Sequence, residues 1–229
     1  MRIDKFIAHS TAFSRREVKY LIKAKRILIN TELAKKIDQT VLPTDTVSLD
    51  DQHLPWPGPR YFMLNKPVGY VCATKDGTNP TVIELLAEVN EDKLHIAGRL
   101  DIDTTGLVLI TDDGKWSHRV MSPNHEHTKR YRVQTSEPID EALISQFAAG
   151  IQLKNEKQKT KPATLEIISA TEAILTISEG KYHQVKRMFG AVGNHVAELH
   201  REAVGNIELD AELEPGQYRA LTALEIECF

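Results

Sequence analysis

The densest run of reactive groups in the sequence is His95-Ile96-Ala97-Gly98-Arg99-Leu100-Asp101-Ile102-Asp103-Thr104-Thr105-Gly106-Leu107. It is polar and punctuated by glycine, and it leads into Leu107–Thr111, which is apolar enough for a buried strand. An irregular segment whose ends are fixed is where a scaffold displays catalytic groups. Its two carboxylates, Asp101 and Asp103, could supply a nucleophile, a base or an acid–base pair. The same composition also builds a plain turn, with the aspartates bonding local backbone and the glycines relieving strain. Composition alone leaves both readings open.

Metal chemistry has little support. The nine histidines include His118, His125 and His127, but their spacing repeats no ligand pattern, and Pro123-Asn124 interrupts any shared helical face. The two cysteines, Cys72 and Cys228, are far apart and form neither a disulfide framework nor a zinc motif. No metal is expected. Lys154, Lys157, Lys159 and Lys161 read most simply as a solvated loop, with phosphate contact as the alternative.

The elements that must position these groups divide the chain unequally. Leu54-Pro55-Trp56-Pro57-Gly58-Pro59 forbids a helix interior and supplies few ladder donors, so it is the expected linker, with domains at 1–53 and 60–229. The larger piece is long enough to bury roughly 70% of its unfolded surface. The 229 residues are 41% hydrophobic and 27% charged, as in ordinary globular proteins rather than disordered or fibrous ones. No apolar run approaches the ~20 residues of a membrane helix, and the charged N-terminus MRIDKFIAHS does not read as a signal peptide, so a cytoplasmic chain without a membrane partner is expected.

The net charge of −3 argues against a nucleic-acid partner until its distribution is read. Residues 1–50 hold ten basic and six acidic residues, leaving 19 against 26 for the rest, so a module of +4 precedes a body of −7. In the module, Ile3, Phe6 and Ile7 have helical spacing, and Ser14-Arg15-Arg16-Glu17 is a capping box opening a second helix. At about 100° per residue, Val18, Leu21 and Ile22 share one arc of that helix while Arg15, Arg16, Lys19 and Lys23 share another. One face packs and the other is positive. Ile27–Ile29 and Thr46–Leu49 read as strands.

In the body, strands are expected at 61–64, 107–111, 131–135, 163–168, 174–177 and 196–199, and helices at 81–89, 115–121, 140–149, 183–191 and 222–227, the last with another capping box. Strands follow one another without intervening helices, so a mixed, largely antiparallel sheet flanked by helices is expected rather than a doubly wound parallel one.

Ordered blocks across residues 60–229 resemble the ribosomal RNA pseudouridine synthases. They are Asn65-Lys66-Pro67-Val68-Gly69-Tyr70, Gly98-Arg99-Leu100-Asp101-Ile102-Asp103-Thr104-Thr105-Gly106-Leu107, Lys129-Arg130-Tyr131 and Gly180-Lys181-Tyr182-His183-Gln184-Val185-Lys186-Arg187-Met188. The resemblance is to the branch acting on small-subunit (16S) ribosomal RNA. It implies isomerisation of a uridine, without cofactor: uracil leaves C1′, turns while bound and rejoins through C5. Asp101 falls at the family's catalytic aspartate, leaving Asp103 as a supporting turn residue. An ionised carboxylate in a pocket needs a nearby cation, and the resemblance implies one from Lys186-Arg187. Neighbours on a helix point about 100° apart, and Lys186 is placed ahead of Arg187, which is left to contact RNA. Tyr131 is implied as the aromatic against an everted uracil, and Arg99 as the cation that fills the displaced base's space.

Residues 1–50 resemble the S4 RNA-binding domain through Arg2-Ile3-Asp4-Lys5, Ser14-Arg15-Arg16, Leu21-Ile22 and Ile27-Leu28-Ile29-Asn30. Lys25 and Thr31 stand where glycines are common, which predicts differently shaped turns. The expected molecule is a monomeric synthase of ribosomal RNA. Two readings compete: a ribosome-assembly factor that kept the fold without catalysis, and a glycoside hydrolase using Asp101 with Asp103. Action on large-subunit RNA is the alternative within the family.

Overall fold

The computed structural model describes residues 1–122 and 126–229, which form two compact units. The first comprises Met1–Pro59 together with Ala87–Lys93, and the second Arg60–Leu86 with Leu94–Phe229. The excursion at Ala87–Lys93 has no counterpart in the sequence reading, which ran the second domain unbroken from residue 60.

In the first unit, α1 (Ile3–Ser10) and α2 (Arg15–Lys23) pack on a four-stranded antiparallel sheet of order β2-β1-β3-β4, made of β1 (Ile27–Ile29), β2 (Glu32–Leu33), β3 (Val47–Leu49) and β4 (Gln52–Leu54). Its core is Ile3, Phe6, Ile7, Val18, Leu21, Ile27, Ile29, Val41, Val47 and Leu49, so the apolar arc of α2 is inside. The capping box closes in both directions: the Glu17 amide donates to Ser14 Oγ and the Ser14 amide to Glu17 Oε2 at 2.7 Å. Lys25 and Thr31 both sit at positive φ, 57° and 75°, so these turns keep the glycine-like backbone in spite of their side chains. The proline-rich segment belongs to this unit, and Trp56 meets Phe6 edge-on at 5.4 Å.

The second unit is a mixed sheet whose main path is β13-β5-β7-β11-β8-β10-β9, with β12 paired to β11 and β6 to β7. Its strands are β5 (Tyr61–Lys66), β6 (His95–Ile96), β7 (Thr105–Thr111), β8 (Lys129–Thr135), β9 (Thr164–Ile167), β10 (Glu172–Ile177), β11 (Val196–Val204), β12 (Ile207–Glu208) and β13 (Tyr218–Ala220). Among the named strands of the described residues only the β7–β11 pairing is parallel, and a single parallel bridge joins Val71 to Thr81. Helices α3 (Gly114–Met121), α4 (Ala142–Ala148), α5 (Gln184–Ala191) and α6 (Ala223–Ile226) complete it.

Alternation along β5 and β7 explains why they read as continuous apolar runs. Phe62, Leu64, Val108 and Ile110 enter one core and Met63, Leu107 and Leu109 the other, so these strands are buried on both faces. The helix expected over 81–89 is a single 3-10 turn, Val82–Leu85. Its capping box forms, from Thr81 to Glu84, but Leu86 is extended and the next residues belong to the other unit. No helix among the described residues is long and apolar enough to cross a membrane.

Candidate active site

The loop before β7 is built from beneath by two buried cations that face carbonyls rather than carboxylates. Lys66, at the end of β5, has no exposed surface, and its Nζ donates to Thr104 O at 2.7 Å, Pro67 O at 3.0 Å and Ile102 O at 3.2 Å. All three ammonium donors are used. Burial nevertheless pulls Lys66 below the usual lysine value, because the charged form is the one desolvated. Arg201, on β11, is 1% exposed; its Nε donates to Leu107 O at 2.8 Å, Nη2 to Gly98 O at 3.0 Å and Nη1 to Arg99 O at 3.3 Å. The loop is therefore clamped near both ends.

Two further constraints set its path. Gly106 has φ +99°, and a Cβ there would lie 2.3 Å from the Arg201 carbonyl oxygen, so only glycine allows β7 to run this close to β11. Leu100 is buried and donates its amide to Cys72 Sγ, while the Thr104 amide donates to Asp101 O at 3.1 Å and closes a tight turn. Asp101 is thus the first residue of a turn whose backbone is held on every side.

The Asp101 carboxylate lines a cleft of about 380 Å³ in the second unit, which also draws on Arg99, Lys129, Tyr131, His183, Lys186 and Arg201; Asp103 is outside the lining. Asp101 Oδ1 is 3.2 Å from His183 Nε2, and Oδ2 is 3.5 Å from Lys186 Nζ. Lys186 Nζ stands closer to Asp103 Oδ1, at 2.5 Å, and this hydrogen bond holds Asp103 below the usual carboxylate range. The lysine thus spans both aspartates. Asp103, implied as a supporting turn residue, also has Lys186 as a partner and remains largely exposed.

Tyr131 lies on β8 between Leu175 of β10 and Arg201 of β11, 7% exposed, with its side chain in the cleft wall. Arg99 is exposed at the cleft, and its guanidinium has no hydrogen bond or ion pair among the described residues. Arg187, expected to contact RNA, is committed elsewhere: Nη1 donates to Glu156 Oε1 and Tyr182 O, both at 3.0 Å, and Nη2 to Lys154 O at 2.6 Å. The 100° between helical neighbours separates the two cations, Lys186 facing Asp101 and Arg187 anchoring the adjoining loop.

In the first unit, Arg16, Lys19 and Lys23 are exposed on α2. Arg15 departs from the expected free phosphate contact, because its Nη2 reaches Asp4 Oδ2 at 2.7 Å and Arg2 shares that carboxylate, which is 4% exposed. Among the described residues no cluster could hold a metal; His125 lies outside them, as does the Pro123-Asn124 break.

Sequence reasoning missed His183, Lys66 and Arg201. His183 carried a signal, since it precedes Lys186 by three residues and such pairs share a helical face. It caps α5 with φ 46° and ψ 39°, the left-handed region. Lys66 and Arg201 were visible only as cations at the ends of apolar runs, a pattern that does not say what lies under them.

A family model described as RNA pseudouridylate synthase matches residues 60–191, and one for the S4 domain matches residues 1–47. Among curated proteins, the chain is 55% identical over 227 residues to ribosomal small subunit pseudouridine synthase A of Escherichia coli strain K12, covering 99% of this chain and 98% of that protein. It is 51% identical to the protein of that name from Vibrio vulnificus, with the same coverage. A crystal structure of a pseudouridylate synthase, 47% identical, superposes with a TM-score of 0.72 over 99% of this chain and 98% of that one. A carboxylate displayed on a clamped turn at a cationic cleft accords with these matches, and the chain belongs to the RNA pseudouridylate synthase family, with an S4 domain at residues 1–47.

Proposed function

We propose that this RNA pseudouridine synthase isomerises a uridine of small-subunit ribosomal RNA, with Asp101 as the reacting carboxylate, and that it works as a cytoplasmic monomer without metal or cofactor. The substrate is supported by the names of full-length relatives such as those of E. coli and V. vulnificus.

The observation that carries the assignment is that Asp101, and not Asp103, lines the cleft, between His183 and Lys186. The Lys186 ammonium stands 3.5 Å from the Asp101 carboxylate and offers it a partner as the uridine enters and water leaves. In this reading Tyr131 offers its ring to the everted uracil, a contact contributing roughly 1–3 kcal/mol per base, and its hydroxyl helps remove the C5 proton. Arg99, unpaired at the cleft, is available to occupy the gap left in the RNA. A hydrolase pairing Asp101 with Asp103 fits less well, because one lysine already bridges the two carboxylates.

Tritium release from a small-subunit ribosomal RNA transcript labelled at uridine C5 tests this reading. Wild type is expected to release label and leave RNA length unchanged, and Asp101→Asn to lose at least about 10³-fold in rate while still binding RNA. Wild-type release by Asp101→Asn would remove Asp101 from the chemistry. Free uracil among the products would restore the hydrolase, and release only from a large-subunit transcript would reassign the substrate.

A further inference from the structure

The structure assigns to Tyr182 a second base-binding position, a platform for the nucleotide adjoining the everted uridine; this rests on the reading of the Asp101 cleft as the uridine site. Tyr182 is 74% exposed, an unusual state for a tyrosine on an otherwise ordered segment. It is not free to move. Its ring lies parallel to the His183 imidazole, with centroids 3.8 Å apart and planes 20° apart. Its carbonyl accepts from Arg187, which Glu156 and the Lys154 carbonyl hold in turn. His183 presents its ring from the left-handed backbone region, φ 46° and ψ 39°, which residues with a side chain seldom adopt.

The stack therefore has a direction. It begins at Asp101, whose Oδ1 is 3.2 Å from His183 Nε2, passes through the imidazole and ends on the phenol ring at the cleft. Its inner face is covered by His183, and most of the remaining ring surface is open. What fits an open aromatic face next to a base pocket follows from the eversion itself. Turning one nucleotide out of a stack leaves its neighbour without a partner on that side, which is unfavourable. A fixed tyrosine ring supplies a replacement partner, and because every base has a π-face the contact tolerates any sequence. A peptide or a sugar alone would not need the ring held parallel to the imidazole.

The test uses the full-length chain and the small-subunit transcript, with the modified position first mapped for wild type. Tyr182→Leu is expected to raise KM by about 5- to 100-fold, as loss of one base–aromatic stack implies, while Tyr182→Phe, which keeps the ring, loses far less. Transcripts carrying an abasic residue immediately 5′ or 3′ of the target then locate the contact. On one side wild type loses the same factor and Tyr182→Leu shows no further loss. The platform is overturned by an unchanged KM for Tyr182→Leu, or by losses that add fully on both sides. Wild type on abasic RNA needs no variant to fold, and a transcript that wild type does not isomerise refutes the underlying function instead of the platform.

Discussion

At the scale of single residues, the site depends on groups that never reach the cleft. Lys66 fills no catalytic role, yet its ammonium bonds two carbonyls of the segment that carries Asp101, those of Ile102 and Thr104, and ties them to Pro67 O beside it. Lys66→Met keeps much of the volume but removes the ammonium from all three oxygens, leaving Ile102 O with the Gly69 amide, so stability is expected to fall by roughly 2–5 kcal/mol. The urea midpoint measures that loss, and tritium release from the molecules still folded should fall with it, since Asp101 loses its anchored turn. A midpoint within experimental error of wild type would mean that water replaces the ammonium at no cost. Legibility follows the same division. Asp101 could be found because its motif is local in sequence. Lys66 and Arg201 act on the loop across 36 to 103 residues, and no periodicity reports what a buried cation touches. The pairing of Asp103 with Lys186 was hidden for the same reason, the two being 83 residues apart.

Among the elements, those with several turns or both faces buried were legible, and the short ones were not. Helix α2 could be read from its capping box and apolar arc, and β5 and β7 from their apolar runs. The pairs β2, β6 and β12 contain two residues each, too few to show any period. Helix 81–89 failed because tertiary packing overrode a genuine start signal. The C-terminal helix α6 supplies the pH prediction. Arg219 donates to Glu225 at 2.8 and 2.9 Å and Thr222 adds its amide, and this bonding, led by Arg219, lowers Glu225 from 4.5 to about 2. A carboxylate depressed in the folded state contributes its full stability above its unfolded value and loses it as pH falls through the folded one. The contribution, about 1–3 kcal/mol once screening of this partly exposed pair is allowed for, should therefore be complete above about pH 4.5 and vanish towards pH 2. The Trp116 indole donates to Ile226 O, so its fluorescence in a Trp56→Phe background reports the seating of α6. Glu225→Gln is expected to lower stability at pH 7 by that amount and to flatten the acid response between pH 4.5 and 2; an acid response equal to that of the parent would show that Glu225 does not govern the helix.

For the molecule as a whole, charge is meaningful only unit by unit. A net −3 hides a basic stretch at residues 1–50, with ten basic residues to six acidic ones, and the structure narrows which of its cations are available. Arg15 is held by the buried Asp4, whereas Arg16, Lys19 and Lys23 project from α2 without an ion pair among the described residues. If those three contact phosphates, each releases about 0.7–0.9 of a counterion, so replacing all three with Gln should reduce the salt slope of RNA affinity by about 2 to 3. Arg15→Gln should change the slope by less than about 1 and act mainly on the stability of the unit, since Asp4 would keep only Arg2. Deleting residues 1–53 would be a poorer test. Asn90 Nδ2 and Lys93 Nζ, on the segment that packs with this unit, donate to Thr11 O and Ala8 O, so the deletion also strips contacts from chain that belongs to the remainder. The point substitutions leave that packing intact, and filter binding of the transcript from 50 to 300 mM salt reads the slope directly. A triple variant with the wild-type slope would mean that the positive arc of α2 is only a solvated face.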